Sequence, residues 1–238
     1  MSNDYFSFKQ FTVRHDRCAM KVGTDGVLVG AWAVGGRRIL DIGTGTGLIA
    51  LMMAQRYPEA AVDAVDIDAD ACAQAAANVA ASPFAGRVRV VHAPLQDFVG
   101  RMTEEGVYDA IVSNPPYFVD SLKNPDAKRS LARHTDTLSF ADLFRCVARL
   151  LAPDGHFSVV IPTDRRSDMK REAFLNRFRT HRELFVKTVE RKQSKRLLMD
   201  FSRSPIESLD LQEEVMQGTD GRRSEWYDAL TRDFYLDM

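Results

Sequence analysis

The sequence has 238 residues, of which 45% are hydrophobic and 27% are charged, a balance typical of one globular domain with a sizeable core. No apolar run approaches the ~20 residues needed to cross a bilayer, and residues 1–10 lack the basic and apolar regions of a secretory signal, so we expect a cytoplasmic protein without membrane contact. The three cysteines are widely separated and are not grouped with histidines, which argues against a disulfide framework and a metal site, and the formal net charge of −1 still allows local basic patches.

Residues 38–162 alternate short β-branched runs with helix-like stretches, the pattern of βαβ units around a parallel sheet. Strands are predicted at residues 38–42, 61–67, 87–91, 108–113 and 156–161, with helices at 48–57, 70–81 and 140–151. Beyond Pro162 we predict a helix at 165–178, strands at 183–189 and 197–202, and a helix at 224–235. This order predicts an α/β fold that is Rossmann-like, with a mostly parallel sheet and helices on both faces.

A glycine-rich turn follows the first of these strands. Gly43, Gly45 and Gly47 precede a helix, where missing side chains let backbone N–H groups approach a ligand. The third glycine comes one residue earlier than in the usual nicotinamide dinucleotide motif, and the turn alone also fits a plain strand-to-helix connection. Asp66 ends the next strand, where a carboxylate can accept hydrogen bonds from both ribose hydroxyls of a nucleoside cofactor. Asp97 follows the third strand, a position from which it can read an adenine edge.

The most specific motif, Asn114-Pro115-Pro116-Tyr117, lies at the carboxyl end of the fourth predicted strand, where open α/β sheets bind ligands. The Asn114 side-chain oxygen and the Pro115 carbonyl can accept hydrogen bonds from the two N–H groups of an exocyclic base amine, which favours a pyramidal nitrogen with an available lone pair. The prolines hold that carbonyl by fixing φ, and Tyr117 offers a face on which a flipped-out base can stack. Taken alone, the tetrapeptide fits a proline-rich turn equally well.

Residues 40–47 resemble the first motif of class I S-adenosylmethionine-dependent methyltransferases. The resemblance implies S-adenosylmethionine as cofactor and a seven-stranded sheet whose last strand is antiparallel. It also implies that Asp66 binds the ribose, that Asp97 lies near the cofactor adenine, and that Asp41 lies with the glycines around the methionine portion. The tetrapeptide at 114–117 resembles the motif of enzymes that methylate planar amines or amides, namely adenine N6, guanine N2 and the glutamine amide of release factors.

Residues 6–13, 15–32 and 226–236 resemble both ends of bacterial tRNA1(Val) (adenine(37)-N6)-methyltransferases. This resemblance implies methylation of adenine 37 in the anticodon loop of valine tRNA, and it places Lys21, Thr24 and Asp25 in a motif that covers the methionine end of the cofactor. We expect an N-terminal segment (1–37) packed on the cofactor site, a methyltransferase domain (38–205) and a C-terminal extension of the same domain (206–238). The aromatic residues Phe6, Phe8 and Phe11 are expected to be core.

Residues 165–203 contain thirteen Lys or Arg and five Asp or Glu. This excess suits a polyanionic partner, although a solvated helix face would also explain it. Lys192, Lys195 and Arg196 are candidate RNA contacts, together with Pro116 and Tyr117 on the substrate side. Further basic residues lie in the loop after Tyr117, and the acidic stretch 210–220 has no assigned role.

Four alternatives remain open at this stage. A DNA adenine methyltransferase is one of them, but such enzymes commonly add a target-recognition domain for which this chain has no room. A glutamine methyltransferase of release factors usually has an extra N-terminal helical domain, whereas only about 37 residues precede the first predicted strand here. A guanine-N2 methyltransferase acting on rRNA would share the tetrapeptide. A non-enzymatic RNA-binding module could keep the fold, but the intact Asp66, Asp97 and Asn114 argue against it. The sequence is compatible with a monomer.

Overall fold

The computed structural model describes residues 4–17, 21–115 and 138–236. Its strands, in chain order, are β1 (Tyr5–Ser7), β2 (Thr12–Arg14), β3 (Arg38–Ile42), β4 (Ala61–Asp66), β5 (Val88–His92), β6 (Tyr108–Ser113), β7 (Leu151–Pro162), β8 (Arg179–Val189), β9 (Arg196–Ser202) and β10 (Asp210–Gln217). Its helices are α1 (Thr24–Trp32), α2 (Leu48–Arg56), α3 (Ala69–Ala80), α4 (Leu95–Gly100), α5 (Phe140–Leu150), α6 (Arg166–Leu175) and α7 (Glu225–Thr231), with a 3-10 turn at Thr163–Arg165.

Within the described residues, the main sheet has eight strands in the order β10-β8-β9-β7-β6-β3-β4-β5, and β1 and β2 form a separate hairpin. Strands β5, β4, β3, β6 and β7 are parallel, β9 is antiparallel to both neighbours, and β8 and β10 again follow the direction of β7. One hydrophobic core lies between one face of the sheet and α1, α2, α3 and α7, and a second lies between the other face and α4, α5 and α6. The predicted Rossmann-like α/β fold is thus confirmed.

The parallel strands bring the ends of β3, β4, β6 and β7 to one edge of the sheet, which we name the carboxyl edge. Strand β9 begins at this edge because it is antiparallel, and Arg196 pairs with Pro162 at the end of β7. The loop of residues 190–195, which joins β8 to β9, therefore also lies at the carboxyl edge. The candidate binding residues of several chain segments meet here.

The predicted strand count of seven is wrong by one, because β10 adds an eighth strand. It pairs in parallel with β8, from Asp210 opposite Arg182 to Gln217 opposite Val189. Its sequence gives little strand signal, since an outermost strand can remain largely exposed and needs few apolar residues. Helices α1 and α4 were also not predicted, and the last helix is shorter than expected.

The N-terminal hairpin is held by two buried amides of α3. The Asn78 side chain accepts a hydrogen bond from the Arg14 N–H and donates one to the Arg14 carbonyl, both at 2.9 Å. Gln74 accepts from the Arg17 N–H at 3.0 Å. Among the hairpin aromatics, Phe8 and Phe11 are buried as expected. Phe6 is 38% exposed, so the core prediction is wrong for that residue.

Cys72 and Cys146 are buried free thiols, whereas Cys18 lies outside the described residues. Among the residues that the structure describes, no helix is long and apolar enough to cross a membrane. Within the same ranges, no cluster of three or more His, Cys, Asp or Glu could hold a metal ion.

Candidate functional site

The turn between β3 and α2 has an unusual backbone. Gly43, Gly45 and Gly47 have φ angles of 70°, 55° and 82°, a left-handed region that other residues rarely adopt. The N–H groups of Gly43 and Thr44 both donate to the Val65 carbonyl at the end of β4, at 2.9 and 3.1 Å. A Cβ at Gly43 or Gly45 would point into open space, so the turn leaves room for a ligand above it.

A cavity of about 370 Å³ opens at this turn, a size within the range of small-molecule sites. It brings together the start of α1, the glycine turn, the end of β6 and the start of β9. Eight residues predicted from the sequence line it: Lys21, Thr24, Asp25, Gly43, Gly45, Asn114, Pro115 and Arg196. Gly23, Gly26, Thr44, Thr46, Leu48 and Ile49 also line it but were not predicted as site residues.

Asp41 lies fully buried beneath the turn. Its Oδ2 accepts hydrogen bonds from the Thr44 hydroxyl at 2.6 Å and from the Ala50 N–H at 3.1 Å. Its Oδ1 is buried without a hydrogen-bond partner among the described residues. Burial raises the pKa of Asp41 to about 7, against the opposing effect of these hydrogen bonds, and the negative charge of Asp66 raises it further. This acid is therefore an acceptor with spare capacity for a cationic or hydrogen-donating group.

Asp66 lies half-buried at the carboxyl end of β4. Its Oδ2 accepts from the Gly45 N–H at 2.8 Å, and its Oδ1 accepts from the Asp68 N–H at 3.0 Å. Each carboxylate oxygen retains a second lone pair, so Asp66 can still accept hydrogen bonds from a ribose. Asp97 lies exposed in the first turn of α4. The predicted cofactor residues that do not line the cavity are Asp41, Gly47, Asp66 and Asp97.

The end of β6 is attached directly to β3. The Ser113 hydroxyl donates to the Ile42 carbonyl at 2.8 Å, which fixes the following residue beside the glycine turn. Asn114 is half-buried and Pro115 is buried, and both line the cavity. Pro116 and Tyr117 lie outside the described residues, as does the loop that follows them.

Asn78 supports the glycine turn from outside the cavity, a role that the sequence did not reveal. Besides holding the hairpin, its side-chain amide donates to the Thr46 carbonyl of the glycine turn at 2.8 Å. A polar residue in an alanine-rich helix gives no local sign of such a contact, whereas Thr44 and Thr46 were recognisable as part of the glycine motif.

The basic segment 165–203 is partly neutralised by carboxylates. Seven of its thirteen cationic side chains lie within salt-bridge range of an acid: Arg165, Arg166, Lys170, Arg171, Arg182, Lys187 and Arg196. Among the described residues, no acid lies in that range of the other six: Arg177, Arg179, Arg191, Lys192, Lys195 and Arg203. Of the three candidate RNA contacts, Lys192 and Lys195 are exposed at the carboxyl edge and have no salt bridge to another described residue, whereas Arg196 is paired with Asp25 inside the cavity.

Comparisons with known proteins show the family of the chain. The model of the methyltransferase small domain family matches residues 23–189. A protein of Parabacteroides distasonis named tRNA1(Val) (adenine(37)-N6)-methyltransferase is 52% identical over 244 residues, covering 100% of both chains. A protein of the same name from Aeromonas hydrophila is 44% identical, covering 99% of both chains.

Two solved structures share the fold. A predicted O-methyltransferase from Agrobacterium tumefaciens has a TM-score of 0.66 and 17% identity, covering 88% of this chain and 96% of that one. Geranyl diphosphate C-methyltransferase from Streptomyces coelicolor, solved with S-adenosyl-L-homocysteine, has a TM-score of 0.54 and 14% identity, covering 75% and 76%.

The sheet, the glycine turn and the family match define an S-adenosylmethionine-dependent methyltransferase. With full-length relatives at 44% and 52% identity, the chain belongs to the family of tRNA1(Val) (adenine(37)-N6)-methyltransferases. The site fits the cofactor of this class, because the space above Gly43 and Gly45 is open and the Asp41 Oδ1 has no partner among the described residues.

Titration of Asp41 gives a first prediction. Below pH 7 this acid is largely protonated in the protein without cofactor, and a cation bound nearby should lower its pKa. Binding of S-adenosylmethionine should then release a proton, and affinity should increase with pH until about 7 and become constant above it. Calorimetry in two buffers of different ionisation enthalpy measures this release. The Asp41→Asn variant should bind S-adenosylmethionine without releasing a proton. If that variant releases as many protons as the unmodified enzyme, the proton comes from another group.

Proposed function

We propose that this enzyme transfers the methyl group of S-adenosylmethionine to the N6 amine of adenine 37 in the anticodon loop of valine tRNA. The observation that carries the proposal is the position of Asn114 and Pro115 in the wall of the cavity onto which the glycine turn opens. The names of the full-length relatives support the same substrate. Since this substrate is a tRNA, the proposal includes a cytoplasmic site of action.

Methyl transfer requires a free lone pair on the N6 nitrogen. An exocyclic amine does not readily offer one, because its lone pair is delocalised into the ring. S-adenosylmethionine supplies an electrophilic methyl group on a sulfonium. The Asn114 side-chain oxygen and the Pro115 carbonyl are proposed to accept hydrogen bonds from the two N–H groups of the amine, which favours a pyramidal nitrogen. No separate strong base is needed, since the proton can leave after methyl transfer.

Four further assignments belong to the proposed site. Asp66, already held by two backbone N–H groups, would bind the ribose of the cofactor. Asp97 would lie near the cofactor adenine. Because Asp97 is exposed, this contact would form only when the cofactor is bound. Pro116 would support the Pro115 carbonyl, and Tyr117 would stack on the target base.

The proposed tRNA contact is the loop of residues 190–195, which we name the basic loop. It contains Arg191, Lys192 and Lys195, all exposed and without a carboxylate in salt-bridge range among the described residues. The loop lies at the carboxyl edge, where Thr163 donates its N–H to the Lys195 carbonyl at 3.3 Å. Its unpaired charges can neutralise phosphates without first breaking an ion pair.

A substrate panel tests the function. Nucleoside mass spectrometry after reaction with S-adenosylmethionine should detect N6-methyladenosine in valine tRNA and in its isolated anticodon stem-loop, because an unpaired base costs less to flip than a paired one. Duplex DNA and a release-factor protein serve as comparison substrates. Methylated guanine or methylated glutamine would overturn the substrate assignment.

Removal of the Asn114 amide gives the second test. Asn114→Ala should reduce turnover by about 10²–10³-fold, since a preorganised group at the reacting centre is lost. Affinity for S-adenosylhomocysteine should change little, because the amide is assigned to the target amine. Single-turnover kinetics and calorimetry measure the two quantities. Near-normal turnover in this variant would contradict the proposed role.

Salt dependence tests the basic loop. Lys192→Gln and Lys195→Gln should each flatten the plot of log affinity against log salt concentration for valine tRNA by about 0.7–0.9 per lost phosphate contact. Arg179→Gln is the matched control, because Arg179 is exposed and has no acid in salt-bridge range among the described residues, but lies at the opposite edge of the sheet. If both lysine variants keep the same salt slope as Arg179→Gln and the unmodified enzyme, the RNA must bind elsewhere.

A further inference from the structure

Arg196 differs from its basic neighbours in its surroundings. Its backbone lies between two strands, opposite Pro162 of β7 and Val186 of β8. The Ser194 hydroxyl also donates to the Arg196 carbonyl at 2.8 Å. Its side chain is only 29% exposed and lines the cavity, whereas Lys192 and Lys195 are exposed. A side chain held in this way is poorly placed to reach the backbone of an RNA on the surface.

The partner of Arg196 is Asp25, in the first turn of α1. The guanidinium Nε donates to Asp25 Oδ1, and the two residues are 171 positions apart in the chain. The side chain of Asp25 is 33% exposed and also lines the cavity. A phosphate could therefore use Arg196 only in competition with an existing, partly buried ion pair.

The order of strands places this pair relative to the cofactor. Along the carboxyl edge, Arg196 at β9 is followed by the end of β7, by Asn114 after β6, by the glycine turn after β3 and by Asp66 after β4. The ion pair and Asp66 thus lie on opposite sides of the glycine turn. If the adenosine end binds at Asp66, the amino-acid end extends towards Asp25. That end carries an ammonium group, which a carboxylate attracts.

We propose that Arg196 is a positioning residue that holds the Asp25 carboxylate against the amino-acid end of S-adenosylmethionine, and that it does not contact tRNA phosphates. The inference rests on the proposed cofactor orientation at Asp66. Through the same ion pair, Asp25 neutralises the guanidinium, so that Arg196 does not repel the cationic cofactor. The pair is part of the cofactor site, and the basic loop beside it is part of the RNA site.

Calorimetry with two ligands tests this role. Arg196→Gln should weaken S-adenosylhomocysteine binding by about tenfold, equivalent to about 1.4 kcal/mol. Binding of 5′-methylthioadenosine, which lacks the amino and carboxyl groups, should change by less than about twofold. Arg196→Lys keeps the charge and should recover part of the lost affinity. Equal weakening of both ligands would indicate a merely structural residue, and an unchanged affinity for both would also overturn the proposal.

Two further measurements complete the test. Asp25→Asn should weaken S-adenosylhomocysteine binding as well, and the double variant should lose less than the sum of the single losses, because the two side chains act as one unit. The tRNA salt slope of Arg196→Gln should match that of the unmodified enzyme, in contrast to Lys192→Gln. A flattened slope for Arg196→Gln would identify a phosphate contact and overturn the inference. Absence of tRNA binding by the unmodified enzyme would instead refute the proposed function, while the ligand comparison would still decide the role of Arg196.

Discussion

The candidate cofactor site depends on the left-handed backbone of the glycine turn, residues 43–47. With three positive φ angles, the chain reverses between β3 and α2 and its polar groups point towards other elements. Asp66 accepts a hydrogen bond from the Gly45 N–H, and Asn78 donates one to the Thr46 carbonyl. Asn78 in turn holds the N-terminal hairpin, so a single turn connects the sheet, α3 and the beginning of the chain. A side chain at one of these glycines would strain the turn and affect all of these attachments.

Short stretches of sequence were sufficient to predict the central strands of the sheet and the glycine turn. Apolar runs predicted the central parallel strands, and glycines directly after a strand predicted the turn. Asn114 could be placed because the carboxyl ends of parallel strands meet at one edge, and the structure brings it to the same cavity as Gly43 and Gly45. These predictions succeeded because each depends on residues close together in the chain and on a general rule of sheet topology.

Ion pairs between residues far apart in the chain could not be predicted in this way. The ion pair of Asp25 with Arg196 joins residues 171 positions apart, and neither residue carries a local sign of the other. Counting charges in 165–203 also could not show that Glu213 outside the segment neutralises Lys187, or that Arg179 and Lys192 lie at opposite edges of the sheet. The net charge of a segment is a property of its sequence, whereas the charge available to a partner depends on the fold.

Strand β10 has a consequence for the behaviour of the protein at high concentration. As an outermost strand, it has one side along which a foreign strand could add and begin aggregation. The exposed Leu211 would favour such an addition, but Asp210 and Glu214 lie in the same short strand, where Glu213 is paired with Lys187. A second copy of this strand would place carboxylates against carboxylates, and their repulsion opposes growth of the sheet beyond eight strands.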